Sequence, residues 1–92
     1  MFARTVRIPN RTGLHARPAT LFVETASRFT STISVATGEQ EVDARSVLGL
    51  MLLEAIAGVE ITIKAQGEDE VTAVNSLIGL VERSFDEGEP QE

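Results

Sequence analysis

Apolar and polar residues alternate in four short stretches of the chain, at positions 2–8, 32–36, 41–44 and 60–65. A period of two puts every second side chain on one face of a strand, so the pattern predicts four β-strands with one buried face each. Arg4 is the polar exception on the inward side of the first strand. The predicted inward residues are Phe2, Val6, Ile8, Ile33, Val35, Val42, Ala44, Ile61 and Ile63.

After the first strand the apolar spacing becomes helical, with intervals of three and four residues. Pro18 belongs to the first turn of this helix, where the N–H that proline lacks would have no partner. The helix is therefore predicted to begin at or just after His15. Its apolar stripe comprises Ala19, Phe22, Val23 and Ala26.

Two further helices are predicted. The first is short and covers about residues 46–53. The second opens on the acidic residues 68–70, because carboxylates are stabilised at the positive end of a helix dipole. Its predicted apolar stripe comprises Val71, Val74, Ile78, Val81 and Phe85.

These elements follow one another in the order β-α-β-β-α-β-α. Helices that return over one face of a sheet give an α+β open-faced sandwich. We therefore expect a four-stranded antiparallel sheet covered on one face by three helices. Residues 1–88 are predicted to form one domain, and residues 89–92 a short acidic tail.

Composition excludes several classes of function. The chain has 92 residues, no cysteine and one histidine, which rules out disulfides, thiol catalysis and a multi-histidine metal site. We expect no metal and no cofactor. No apolar run approaches the roughly twenty residues of a membrane span, and the N-terminal segment has no apolar signal core. A cytoplasmic protein without membrane insertion is predicted.

Charge is uneven along the chain. The net charge of −6 argues against a nucleic-acid partner. Residues 1–50 carry six arginines and four acidic residues, whereas residues 51–92 carry two basic and ten acidic residues. Solvation of a C-terminal helix and tail explains most of this asymmetry. The half that contains His15 nevertheless has no net repulsion toward an anionic ligand.

The single histidine stands at a helix start, which is a favourable place for an anion. The first N–H groups of a helix have no backbone partner, so a phosphoryl group on the His15 ring would lie beside the amides of Ala16 and Arg17. The Arg17 guanidinium would add charge-assisted hydrogen bonds, and Gly13 would let the loop approach the ring. A lone histidine in this position is more often a solvated surface group, and the chemistry alone leaves both interpretations open.

Two motifs carry a resemblance to a known family. The segment GLHARPA, followed by Thr20, resembles the active-site signature of HPr, the histidine-containing phosphocarrier of the bacterial phosphoenolpyruvate-dependent sugar phosphotransferase system. The segment RSVLGLMLL resembles the second signature of that family. The predicted element order and the chain length agree with the family fold. The resemblance extends from the N-terminus to about Phe85.

The resemblance implies a phosphoryl carrier that has no turnover of its own. His15 would be phosphorylated on Nδ1 by enzyme I, and Arg17 and the Ala16 amide would bind the phosphoryl group. The group would then pass to the sugar-specific enzyme II A components. A monomer is expected.

Ser46 resembles the regulatory serine of the family, which an HPr serine kinase/phosphorylase modifies in many Gram-positive members. A serine before a helix is also a common N-cap. The two roles are compatible, because a phosphate at a helix N-terminus is locally favourable.

The resemblance also implies a docking surface on the short helix. We expect Val47, Leu48 and Met51 to contact partners, and Leu50 and Leu53 to belong to the core.

Thr20 and Glu24 are predicted on the polar face of the first helix, on the His15 side, and we expect them to contact partners as well. Two positions depart from the family pattern. Many members carry a basic or neutral residue where Glu24 stands, so the docking face is less basic here. Many have glycine where Glu54 stands, so the sequence does not define the residue at which the short helix ends.

A different function on the same fold is the alternative. A regulatory module would serve a nitrogen-related phosphorelay or bind a transcription factor through phosphorylated Ser46. The pairing of His15 with Arg17 favours transport or relay chemistry. An α+β domain without phosphate chemistry is the remaining interpretation.

Overall fold

The computed structural model describes residues 1–38 and 40–86. The predicted order is confirmed, and so is the α+β fold with a four-stranded antiparallel sheet. The end of the predicted domain at residue 88 and the acidic tail at 89–92 lie outside the described residues. The elements are β1 (Phe2–Arg7), α1 (Ala16–Ala26), β2 (Thr32–Thr37), β3 (Gln40–Asp43), α2 (Val47–Leu52), β4 (Glu60–Gln66) and α3 (Glu70–Glu82).

The sheet has the order β1-β4-β2-β3, and all neighbouring strands are antiparallel. The last strand in the chain is thus a central strand, with Ile61 opposite Val6 of β1 and Ile63 opposite Val35 of β2. This register puts the apolar side chains of neighbouring strands on the same face, where the helices cover them.

The predicted strand faces are confirmed. Ile8, Ile33, Val35, Ala44, Ile61 and Ile63 are buried, and Phe2, Val6 and Val42 are half-buried and pack against the core. The stripe of α1 is confirmed as well, since Ala19, Phe22 and Ala26 are fully buried and Val23 is half-buried.

The predicted stripe of the last helix is wrong at its first position. Val71 is 49% exposed. The buried face of α3 also includes Ala73, Leu77 and Leu80, which shift its centre away from Val71. Val71 therefore falls on the margin of this face, in the first turn of the helix.

Phe85 is buried as predicted, but it does not belong to α3. The helix ends at Glu82, and Ser84–Asp86 form a short turn in which all three residues have left-handed backbone, with φ between 56° and 59°. This turn redirects the chain so that the Phe85 ring reaches the core. A helical extrapolation could not include such a reversal.

Asp69 holds the far end of α1 in place. Its carboxylate accepts hydrogen bonds from the backbone N–H groups of Thr30 (2.9 Å) and Ser31 (3.0 Å), and from the Ser31 hydroxyl. Asp69 is at the N-cap position of α3, yet its side chain makes no cap hydrogen bond there. The carboxylate instead joins the loop after α1 to the loop before α3.

Candidate active site

His15 occupies the N-cap position of α1, with extended backbone at φ −84° and ψ −169°. Its carbonyl oxygen accepts the first intrahelical hydrogen bond, from Ala19 N at 2.9 Å. The side chain is exposed and makes no cap hydrogen bond. The predicted helix start is confirmed, and the imidazole is accessible to another molecule.

The first turn of α1 presents two backbone donors. Ala16, Arg17 and Pro18 occupy its first three positions, and none of their nitrogens has an acceptor within the helix. Pro18 is buried and has no N–H to offer. The donors at this end of the helix are therefore the amides of Ala16 and Arg17, the two that the sequence predicted.

Arg17 is exposed, and no described residue forms an ion pair or a side-chain hydrogen bond with it. Long side chains on a helix point back toward its N-terminus. The guanidinium can therefore extend over the first turn toward the His15 ring without breaking a contact with the described part of the chain.

The loop before His15 is held tightly against the segment that follows α2. Gly13 has φ +66°, and a Cβ there would lie 2.2 Å from the carbonyl oxygen of Ala55. Leu14 N–H donates to that same oxygen at 3.0 Å, and the Asn10 side-chain amide donates to the Gly13 carbonyl at 2.9 Å. Leu14 is buried in the core. These contacts fix the position from which the histidine projects.

An open depression of about 480 Å³ lies beside the histidine. One side is formed by Thr12, Leu14 and His15, and the other by Met51, Glu54, Ala55 and Ile56. Sequence reasoning missed the parts played by Asn10 and Ala55. At Asn10, the turn composition around Pro9 is the only sequence feature that points to a structural role. The residue type of Ala55 gives no such indication.

Ser46 is the N-cap of α2, as predicted. Its Oγ accepts a hydrogen bond of 2.9 Å from Gly49 N, and the residue is half-buried. The hydroxyl therefore has a structural role, and the regulatory role stays a prediction.

An apolar patch covers the outer side of α2 and the turn after it. We define it as Leu48 (67% exposed), Met51 (40%), Leu52 (61%) and Ile56 (60%). Val47 is half-buried against the core, so less of its surface is available than predicted. The core prediction is confirmed for Leu50 and Leu53. The sequence did not identify Leu52 and Ile56 as exposed apolar residues, because helical spacing does not show how far the short helix projects from the rest of the protein.

Thr20 and Glu24 are exposed on α1. The Thr20 hydroxyl donates a hydrogen bond to the Ala16 carbonyl at 2.8 Å. This side-chain contact supplements the backbone hydrogen bonds of the first turn. No comparable contact joins Glu24 to a residue that the structure describes. Their contact with a partner stays a prediction.

Residues 1–38 and 40–86 contain no group of three or more histidine, cysteine or carboxylate side chains that could hold a metal ion. None of the helices in this part of the chain is long and apolar enough to cross a membrane.

Comparison with known proteins assigns the family. Residues 2–83 match the family model described as the PTS HPr component phosphorylation site. The chain is similar to the phosphocarrier protein HPr of Treponema pallidum (strain Nichols), with 41% identity over 87 residues that cover 95% of this chain and 99% of the relative. It is 44% identical to the HPr-like protein Crh of Bacillus subtilis (strain 168) over 82 residues, covering 89% and 96%.

A solved structure gives the same assignment. The crystal structure of HPr-C-His from Thermoanaerobacter tengcongensis superposes with a TM-score of 0.92 at 44% identity, covering 97% of this chain and all of the other. Sequence similarity and fold therefore agree over nearly the whole length. The chain belongs to the HPr family of phosphocarrier proteins.

Proposed function

We propose that this chain accepts a phosphoryl group from enzyme I on His15 and passes it to the sugar-specific enzyme II A components. The observation that carries the proposal is the place of the exposed His15 ring, at a helix start with two backbone donors and one arginine. In the step, the Nδ1 lone pair bonds to phosphorus as the bond from phosphorus to the donor breaks. The donor atom keeps that electron pair.

The residues around His15 suit a group that must leave again. The amides of Ala16 and Arg17 can donate to the phosphoryl oxygens, and the Arg17 guanidinium can balance their charge. The depression is open, so no enclosed pocket would hold the group in a deep minimum. Weak retention favours the second transfer, since a carrier that bound too tightly would slow it.

The apolar patch is the proposed docking surface for these partners. Met51 and Ile56 line the same depression as His15, so a protein seated on the patch would face the imidazole. Val47, Thr20 and Glu24 would lie at the margin of the contact. The proposal places the protein in the cytoplasm as a monomer that binds its partners one at a time.

Regulation through Ser46 is the second candidate function. The 44% identity with the HPr-like protein Crh favours it, and so does the position of Ser46 one residue before the helix that bears the patch. A kinase/phosphorylase acting on Ser46 would add a charged group beside the apolar contacts. A regulatory module would bind its partner only with Ser46 phosphorylated, whereas a carrier exchanges its phosphoryl group with Ser46 unmodified.

Incubation with enzyme I and labelled phosphoenolpyruvate tests the carrier function. The wild-type chain should become labelled, and His15→Ala should not. Because His15 is exposed and does not belong to the hydrophobic core, the variant should keep the wild-type circular dichroism spectrum. Label that persists in a folded His15→Ala variant would contradict the proposal.

A further inference from the structure

Glu54 has a backbone conformation that a glutamate adopts only at a cost. It follows α2 with φ 55°, in the left-handed region that glycine occupies freely. Its backbone N–H donates to the Met51 carbonyl at 3.1 Å, which closes the end of the helix. Any residue could close the helix in this way, so the helix end does not explain why a carboxylate stands here.

The Glu54 position is fixed close to the proposed acceptor. The hydrogen bond from Leu14 N–H to the Ala55 carbonyl joins the residue before His15 to the residue after Glu54. Consecutive Cα atoms are about 3.8 Å apart, so the two residues lie on the order of 10 Å from each other. Both line the open depression.

No described residue neutralises this carboxylate. Glu54 is exposed, and it forms no ion pair or side-chain hydrogen bond with residues 1–38 or 40–86. Arg17 is the cation next to His15 in the chain. Glu24 is also exposed, but it lies about two and a half helical turns beyond His15. Among the described residues that line the depression, Glu54 is the carboxylate that accompanies the imidazole.

We propose that Glu54 sets the phosphoryl-transfer potential of His15, an inference that rests on the proposed function. Phosphorylation adds up to two negative charges to a ring that had none. Repulsion by Glu54 raises the free energy of the phosphorylated form and leaves that of the free histidine almost unchanged. The carboxylate therefore shifts the equilibrium away from the phosphorylated carrier and makes that carrier a stronger phosphoryl donor.

The equilibrium of the chain with phosphoenolpyruvate and pyruvate measures this effect directly. Enzyme I only catalyses that equilibrium, so any effect of a substitution on docking cancels. For a monovalent and a divalent charge on the order of 10 Å apart in a solvated site, E54Q should raise the equilibrium constant for phosphorylation roughly two- to fivefold at low salt. The difference should shrink as salt is raised, because ions screen the repulsion.

Three further variants separate charge from other causes. E54D keeps the charge and should keep the wild-type constant. E54G removes both the charge and the backbone strain, so it should match E54Q in the constant while melting at a higher temperature. E68Q removes an exposed carboxylate from the loop before α3, near the opposite end of α1, and should change nothing.

The possible outcomes separate a failure of this inference from a failure of the proposed function on which it rests. A wild-type chain that takes no label would overturn the proposed function, and this inference with it. A labelled wild-type chain with the same constant as E54Q would overturn this inference alone. So would an E68Q variant that shifts the constant as far as E54Q does.

Discussion

Leu14 N–H donates a hydrogen bond of 3.0 Å to the carbonyl oxygen of Ala55, which joins the loop before α1 to the segment after α2. The two helices that border the candidate site are therefore linked through their backbones as well as through the core. Because Leu14 precedes His15 directly, any shift of this link would move the imidazole relative to the apolar patch.

Gly13→Ala should break this arrangement. The new Cβ would lie 2.2 Å from the Ala55 oxygen, and alanine would be strained at φ +66°. We expect a loss of about 2 kcal/mol or more in the free energy of unfolding, measured with urea. Gly38→Ala is the matched control, since Gly38 has φ +44° but no atom within 4 Å of the added Cβ. Strain alone should cost about 1 kcal/mol there, so equal losses would mean that the contact with Ala55 is unimportant.

Arg17→Ala should slow phosphorylation by enzyme I more than Arg28→Ala does. A charge-assisted hydrogen bond contributes roughly 1.5–3 kcal/mol, so removing the Arg17 guanidinium should reduce the rate about tenfold or more. Arg28 lies beyond the far end of α1, roughly 16 Å along its axis, and should contribute only weak steering. Rapid-quench measurements on both variants give the comparison. The same rate reduction in both would indicate general attraction by positive charge.

Ser46→Asp should weaken phosphorylation of His15, whereas Ser46→Ala should leave it near the wild-type rate. An aspartate would bring a charge next to Val47 and Leu48, where docking would require its desolvation. Steady-state kinetics with enzyme I measures the effect.

The hydrogen bond from Gly49 N–H makes the stabilities of the same two variants informative. Aspartate can accept this bond and should preserve the melting temperature, while alanine should lower stability by about 1 kcal/mol. An unchanged rate for a folded Ser46→Asp variant would leave Ser46 as a helix cap.

Asp69 should make stability depend on pH in the acid range. The hydroxyl of Ser31, followed by the backbone N–H of Thr30, donates to the carboxylate and holds its pKa below the usual value of 3.8. A depressed pKa stabilises the folded state fully above the unfolded-state pKa, and this contribution is lost as the pH falls through the folded-state pKa. Asp69→Asn should therefore melt below the wild type at neutral pH.

Melting curves recorded from about pH 7 down to pH 2 test this dependence. The gap in melting temperature between wild type and Asp69→Asn should close as the carboxylate becomes protonated. Glu68→Gln, one residue away, serves as the control for loss of a negative charge in the same loop. A gap of constant size over the whole range would contradict the assignment of the acid sensitivity to Asp69.

The local sequence pattern was sufficient to predict features that depend on residues close together in the chain. Ala19 and Phe22 follow the helical period, and His15, Ala16 and Arg17 lie within one turn, so both the buried face and the candidate site could be predicted. The sheet order could not be predicted, because alternation within a strand carries no information about its neighbours.

The remaining errors in the predictions from sequence arise where contacts between distant parts of the chain determine the structure. Phe85 is buried through a left-handed turn that no periodicity contains, and the exposure of Val71 depends on how α3 meets the sheet. The contact between Leu14 and Ala55 joins residues far apart in sequence. A glycine at position 13 indicates a turn, but it does not identify the backbone that approaches it.

The openness of the depression beside His15 has a consequence for how partners are recognised. Phosphoryl transfer is favoured when water is excluded from the moving group, and a depression this open leaves that group exposed to solvent. Each partner must therefore cover the open side of the depression. The complete site for phosphoryl transfer exists only while the two proteins are in contact. Under the proposed function, a substitution in the apolar patch would impair all exchanges of the carrier together. A substitution on one partner would impair a single exchange.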